Sequence, residues 1–186
     1  MEQMNNQKVN FKYVITVFGV VVITWLIHEF AHWLVYTLQG YDAYMGLNKA
    51  GVRGDNGPNV DQQIIGAAAG PLITLLQAIL VFVYLKRKGW NKYIYPFLFI
   101  PFYMRFLAGL MNFIMPNDEG FISQQLGLGL FTISILISAV LFWMVYKASK
   151  KYQLKPKFHI LTILFVMFFS SLVIMVDQFF RVLIIS

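Results

Sequence analysis

The stretch WLIHEFAHWL, residues 25–34, sets two histidines and a glutamate inside a run that is otherwise apolar. Val14–Trp25 leads into it and Trp33–Leu38 leads out. Each of His28, Glu29 and His32 is expensive to place in such surroundings. The rest of the chain decides whether they are buried polar packing or a site.

Of 186 residues, 59% are hydrophobic and only 12% are charged. Ordinary globular domains carry about 25% charged residues, so the composition is that of a membrane protein. Cysteine is absent, which excludes a disulfide framework, a thiolate metal site and a cysteine nucleophile. The net charge of +7 does not make a nucleic-acid interface, because the basic residues fall in clusters between apolar runs, the pattern that encodes membrane topology. The first apolar run is too long for a signal-peptide core, so an uncleaved first span is expected.

A membrane-crossing helix needs about 20 residues. Five runs meet that length, at 13–38, 63–85, 93–115, 121–146 and 158–185. The expectation is an all-α polytopic membrane protein, one transmembrane domain over 1–186 with about five helices. The longest break, 39–62, is rich in glycine (Gly40, Gly46, Gly51, Gly54, Gly57) and holds Pro58. Lys8, Lys12, Lys86, Arg87, Lys88, Lys92, Lys147, Lys150, Lys151, Lys155 and Lys157 all fall before the first span or after the second and fourth. The alternate loops hold only Lys49 and Arg53, beside Asp42, Asp55, Asp61, Asp118 and Glu119. Basic loops stay inside. In a multi-pass protein of the cell membrane the N-terminus is therefore expected on the cytoplasmic side and the C-terminus outside, with the HEFAH segment toward the outer side.

Helical residues four apart stack on one face. His28 and His32 can then aim two imidazoles at one point, with Glu29 on an adjacent part of the surface. H-E-x-x-H on a helix is a zinc-hydrolase signature for that reason: two nitrogen ligands, and a carboxylate placed to take a proton from water. A catalytic zinc usually has a third protein ligand. His159 lies at the opposite end of the fifth span, so a carboxylate is expected. Spans one and three run in the same direction, and Asp118 lies just past the end of span three, on the side toward which His28 and His32 lie. Its charge would partly neutralise a dication held by neutral imidazoles. The lesser alternative for Asp118 is capping the next helix, and the two roles are compatible. Glu119 is the nearest rival ligand. Asp177 is a weaker one, since Arg181 four residues on offers it an ion pair.

Arg105 sits well inside span three and needs a partner. Gly109 and Asn112 share its face. Arg105 can pair with Glu29 or another site carboxylate, hold a substrate carbonyl, or make a plain interhelical ion pair, for instance with Asp177. Asn112 is a candidate oxyanion donor. Span two opens with GAAAGP, residues 66–71; Gly66 and Gly70 form a small-xxx-small pair that lets backbones approach, and Pro71 frees the Ala67 carbonyl.

Together HEFAH in one span, AAAGP in the next and PNDEG after the third resemble the site-2-protease-like intramembrane zinc metallopeptidases, in order and spacing over roughly residues 13–125. The resemblance implies that His28, His32 and Asp118 are zinc ligands and Glu29 the general base. It also implies that 39–62 can form a membrane-associated β-hairpin that takes substrate as an added strand. The chain departs from the pattern in three ways. Thr74 follows the Gly-Pro where the better-known members have Asn. Asp118 sits in Asn-Asp-Glu rather than Leu-Asp-Gly. The charge pattern puts the site outward rather than toward the cytoplasm.

The expected activity is zinc-dependent hydrolysis of a peptide bond in a membrane-embedded or membrane-proximal protein or peptide, by a compact, divergent relative that has the lipid bilayer and no nucleic acid as its partner. The alternative is a non-catalytic membrane protein that binds zinc or transmembrane segments, as a transporter, chaperone or pseudo-protease.

Overall fold

The computed structural model describes residues 6–55 and 57–185. Six helices and a small sheet follow one another as α1 (Phe11–Leu38), β1 (Ala43–Gly46), β2 (Ala50–Val52), α2 (Val60–Lys88), α3 (Pro96–Met111), α4 (Asp118–Gln125), α5 (Thr132–Lys151), α6 (Pro156–Phe180) and β3 (Leu183–Ile185). Four of the helices, α1, α2, α5 and α6, are long and apolar enough to cross a membrane.

Local chemistry sets the helix starts. The Asn10 side chain accepts from the Tyr13 amide at the head of α1. Asn59 and Gln62 close a reciprocal capping box on α2, which satisfies two amides that would otherwise lack partners. Proline opens α3 and α6, where its missing N–H costs nothing.

The long helices expose apolar side chains as well as burying them. In α1 the buried stripe is Tyr13, Val17, Val20, Val21, Thr24, His28, Glu29 and His32, so the inward face changes from apolar to polar along its length. The opposite face exposes Phe11, Ile15, Phe18, Ile23, Ile27, Phe30, Leu34 and Leu38. A large, continuous exposed apolar surface is unlike that of a water-soluble monomer. The core runs from Tyr13 and Phe158 through Tyr95, Leu98 and Ile100 to Leu141 and Val166.

The basic segments meet at one end. Lys92 is buried and its Nζ donates to Asn6 Oδ1 at 3.0 Å and to the Lys8 carbonyl at 2.9 Å. The Lys155 amide donates to Gln7 Oε1 at 2.7 Å, and Lys151 Nζ reaches the Lys86 carbonyl at 3.1 Å.

Three expected boundaries are corrected. The expected third span, 93–115, is a helix of only 16 residues, about 24 Å long at 1.5 Å per residue, because turns occupy both of its ends. The expected fourth span, 121–146, divides into α4 and α5 around a turn in which Gly127 and Gly129 take positive φ (69° and 83°). The expected fifth span, 158–185, stops at Phe180, where Arg181 adopts a left-handed conformation, and the chain then forms a strand.

The fold is therefore not purely helical. A hairpin does form within 39–62: β1 and β2 pair antiparallel with Ala43 opposite Val52 and Met45 opposite Ala50. The C-terminal β3 joins the other edge of β1, with Met45 opposite Ile185, giving the order β2-β1-β3.

Candidate metal centre

Four helices supply the site. α1 contributes His28, Glu29 and His32, each buried. α4 brings Asp118 at its first position, just after Asn117, whose side chain caps the helix by accepting from the Gly120 amide at 2.9 Å. The cap expected of Asp118 thus belongs to its neighbour, which leaves the Asp118 carboxylate free to turn toward α1.

Nε2 of His28 and Nε2 of His32 are 3.1 Å apart. Asp118 Oδ2 lies 3.2 Å from the first and 3.5 Å from the second. Among the described residues these three side chains form the group able to hold a metal ion. Tetrahedral coordination at 2.0–2.1 Å separates ligand atoms by about 3.3 Å, and all three measured edges fall around that value. The donor set, two imidazoles and a carboxylate, suits zinc.

Protons alone satisfy this arrangement poorly. Nδ1 of His32 lies 2.7 Å from the Gly66 carbonyl, which can only accept, so Nδ1 carries the hydrogen and Nε2 of the neutral ring has a lone pair. A proton on His28 Nε2 would then face two acceptors, His32 Nε2 and Asp118 Oδ2, and serve one. A cation serves all three. The His32–Gly66 bond is the kind of outer interaction that fixes a ligand's tautomer and ring orientation.

Gly70, one turn further along α2, allows the approach. A Cβ there would lie 2.5 Å from His28 Nδ1 and would overlap His28 Cε1 and His32 Nε2. Gly66 is equally tight against the Tyr36 ring. Of the glycine pair expected to serve helix packing, Gly70 packs against the two histidines and Gly66 against Tyr36. Thr74, which stands where the resembling family has Asn, is buried and donates to the Gly70 carbonyl at 3.0 Å.

The remaining candidates separate clearly. Glu29 is 5% exposed and its carboxylate makes no hydrogen bond or ion pair among the described residues. Glu119, the rival ligand, points away: it is 1% exposed and pairs with Arg105 Nη1 at 2.8 Å. The same Arg105 Nη1 is 3.7 Å from Asp118 Oδ2, so Arg105 joins two site carboxylates rather than Glu29 or Asp177. Asn112 is committed at both ends, accepting from the Asn117 amide at 2.9 Å and donating to Ser134 Oγ at 3.0 Å. Asp177 is buried and accepts from the Leu47 amide at 3.2 Å. No ion pair joins it to Arg181 among the described residues, because α6 ends before Arg181 and the four-residue helical stacking is lost. His159 lies near Tyr95, with Nδ1 3.5 Å from its hydroxyl.

Residue types alone do not reveal the Gly66 carbonyl or the necessity of Gly70, whereas Asn117 is of a type that favours the cap position it takes. For the glycines the signal was the matched spacing, two glycines four apart and two histidines four apart.

Comparison with protein-family models, with curated proteins and with solved structures returns no match.

Proposed function

We propose that the chain is a multi-pass membrane protein that hydrolyses peptide bonds with zinc held by His28, His32 and Asp118. The observation that carries this reading is the convergence of three ligand atoms within 3.5 Å of one another beside a buried carboxylate, Glu29, with no partner of its own. A site built only to hold zinc needs no free carboxylate next to its first ligand.

In this reading α1, α2, α3, α5 and α6 all pass through the bilayer, α3 being the short one. The basic end faces the cytoplasm, and the site lies toward the outer side of a cell membrane. Zinc held by His28, His32 and Asp118 would supply Lewis acidity toward a peptide carbonyl and water. Glu29 takes a proton from water and later returns it to the leaving amine, so the elements of water are added across the C–N bond. His32, held by Gly66, and His28, pressed against Gly70, keep their Nε2 lone pairs aimed at one point. Arg105 holds Asp118 in place through charge while Glu119 anchors the guanidinium. The edge of β2 that faces away from β1 has backbone groups able to take an extended substrate segment as an added strand.

The test is cleavage of transmembrane peptides by the purified full chain in proteoliposomes, with products read by mass spectrometry. Native protein should cut at least one peptide, and Glu29→Gln should abolish cutting while keeping the metal. Retained cleavage in Glu29→Gln would overturn the mechanism. Metal binding without cleavage of any peptide would favour a zinc-binding or segment-binding membrane protein.

A further inference from the structure

At the end of the bundle opposite the histidines, α2 and α5 enclose a cavity of about 280 Å³ lined by Phe82, Leu85, Lys86, Trp143, Lys147 and Lys151, with Ala148 and Tyr152 behind them. Its floor is apolar and its rim carries three ammonium groups. None of the lining residues is acidic, and among the described residues no salt bridge reaches any of the three lysines.

The cavity is built rather than incidental. Lys151 Nζ donates to the Lys86 carbonyl at 3.1 Å, and the Tyr152 hydroxyl donates to the Leu85 carbonyl. The first bond satisfies a last-turn carbonyl of α2, the second adds to a Leu85 carbonyl that already accepts from the Gly89 amide, and both fix the end of α5 against α2. Aromatic faces hold the lysine heads in place: Lys86 Nζ is 5.7 Å from the Phe82 ring centre, Lys147 Nζ 5.9 Å from Trp143, and Lys151 Nζ 5.2 Å from Tyr152. An uncompensated cluster of like charges above an apolar slot calls for an amphipathic anion.

We infer that this cavity binds the headgroup of an anionic phospholipid, with the phosphate among Lys86, Lys147 and Lys151 and the first acyl carbons against Phe82, Leu85 and Trp143. Basic pockets between membrane helices on the positively charged side are suited to that headgroup chemistry, and Trp143 stands one helical turn before Lys147 on α5, an aromatic beside a basic residue as at the interface-facing ends of spans. A free phosphate would use the lysines and leave the apolar floor empty. This site requires the membrane but is independent of peptide hydrolysis, so it can stand or fall separately from the catalytic reading.

Native mass spectrometry of the full chain in detergent, titrated with dioleoyl phosphatidylglycerol or dioleoyl phosphatidylcholine, tests it. The phosphatidylglycerol adduct should dominate by at least ~10-fold, each lysine near the surface being worth about fivefold. K86Q/K147Q/K151Q should lose the preference, and K86R/K147R/K151R should keep it. K12Q/K88Q/K150Q, which removes the same charge from outside the cavity, should also keep it. Preference surviving in the first variant, or lost equally in the last, would overturn the site. Displacement of the lipid by inorganic phosphate alone would overturn the lipid as its occupant.

Discussion

His32 donates from Nδ1 to the carbonyl of Gly66 at 2.7 Å, and this bond turns the other ring nitrogen toward His28 and Asp118. The carbonyl belongs to α2 and the imidazole to α1, so the packing of two helices sets the orientation of a ligand. The orientation of the donor set thus comes from how α1 packs on α2.

Gly70→Ala tests that dependence. Alanine in a helix is favoured over glycine by about 1 kcal/mol, so propensity alone would make the variant more stable. The added methyl would overlap both imidazoles. Zinc affinity should fall by about 10- to 100-fold, read by competition with a chelator, even if the melting temperature holds. Unchanged affinity would mean that the two rings do not need their present positions.

The Arg105–Glu119 pair, at 2.8 Å and with both side chains under 5% exposed, should behave as a buried ion pair. Arg105→Met alone should cost about 3–5 kcal/mol by leaving Glu119 uncompensated. Adding Glu119→Leu should restore most of that stability in thermal unfolding. Zinc affinity should stay lowered in the double variant, because Asp118 has still lost the guanidinium 3.7 Å away. Full recovery of affinity would reduce Arg105 to a purely structural role.

Asn112 ties the turn before α4 to α5. Asn112→Ala should destabilise the protein by about 1–3 kcal/mol through unpaired buried groups, and should weaken metal binding by letting Asp118 drift. Any effect on peptide cleavage should follow metal occupancy. A fall in cleavage at full zinc occupancy would instead indicate contact with the reacting carbonyl.

The C-terminal strand has its own weak point. A Cβ at Gly46 would sit 2.8 Å from the Val182 carbonyl and 3.0 Å from Asp177 Oδ1. Gly46→Ala should detach β3, seen as loss of hydrogen-exchange protection over residues 183–185, with α1 unaffected. Retained protection there would mean that the strand has room to adjust.

Much of this was legible in the sequence where the signal was periodic or chemical. The spacing of His28 and His32 already fixed a shared face, and the direction of the runs placed Asp118 near them without any contact being known. Hydropathy failed where different backbones use equally apolar residues. LGLGLF at 126–131 reads as a continuation of a span, yet two glycines with positive φ make it a turn. Leu183–Ile185 reads as the end of a helix, but Arg181 takes the left-handed conformation that glycine or asparagine ordinarily signals, so the strand went unseen. The Gly66 carbonyl has no side chain to announce it. Glu119 and Asp118 are adjacent and chemically alike, and only the turn of α4 shows which faces the histidines and which faces Arg105.

The most direct measurement is the metal content of the purified full chain, alone and as His28→Ala, His32→Ala, Asp118→Ala and Glu119→Gln. The expected result is about one zinc per native chain, lost in the first three variants and kept in the last. A native chain that takes up no metal even when zinc is supplied, or an Asp118→Ala variant that binds it as tightly as the native protein, would contradict the three-ligand centre.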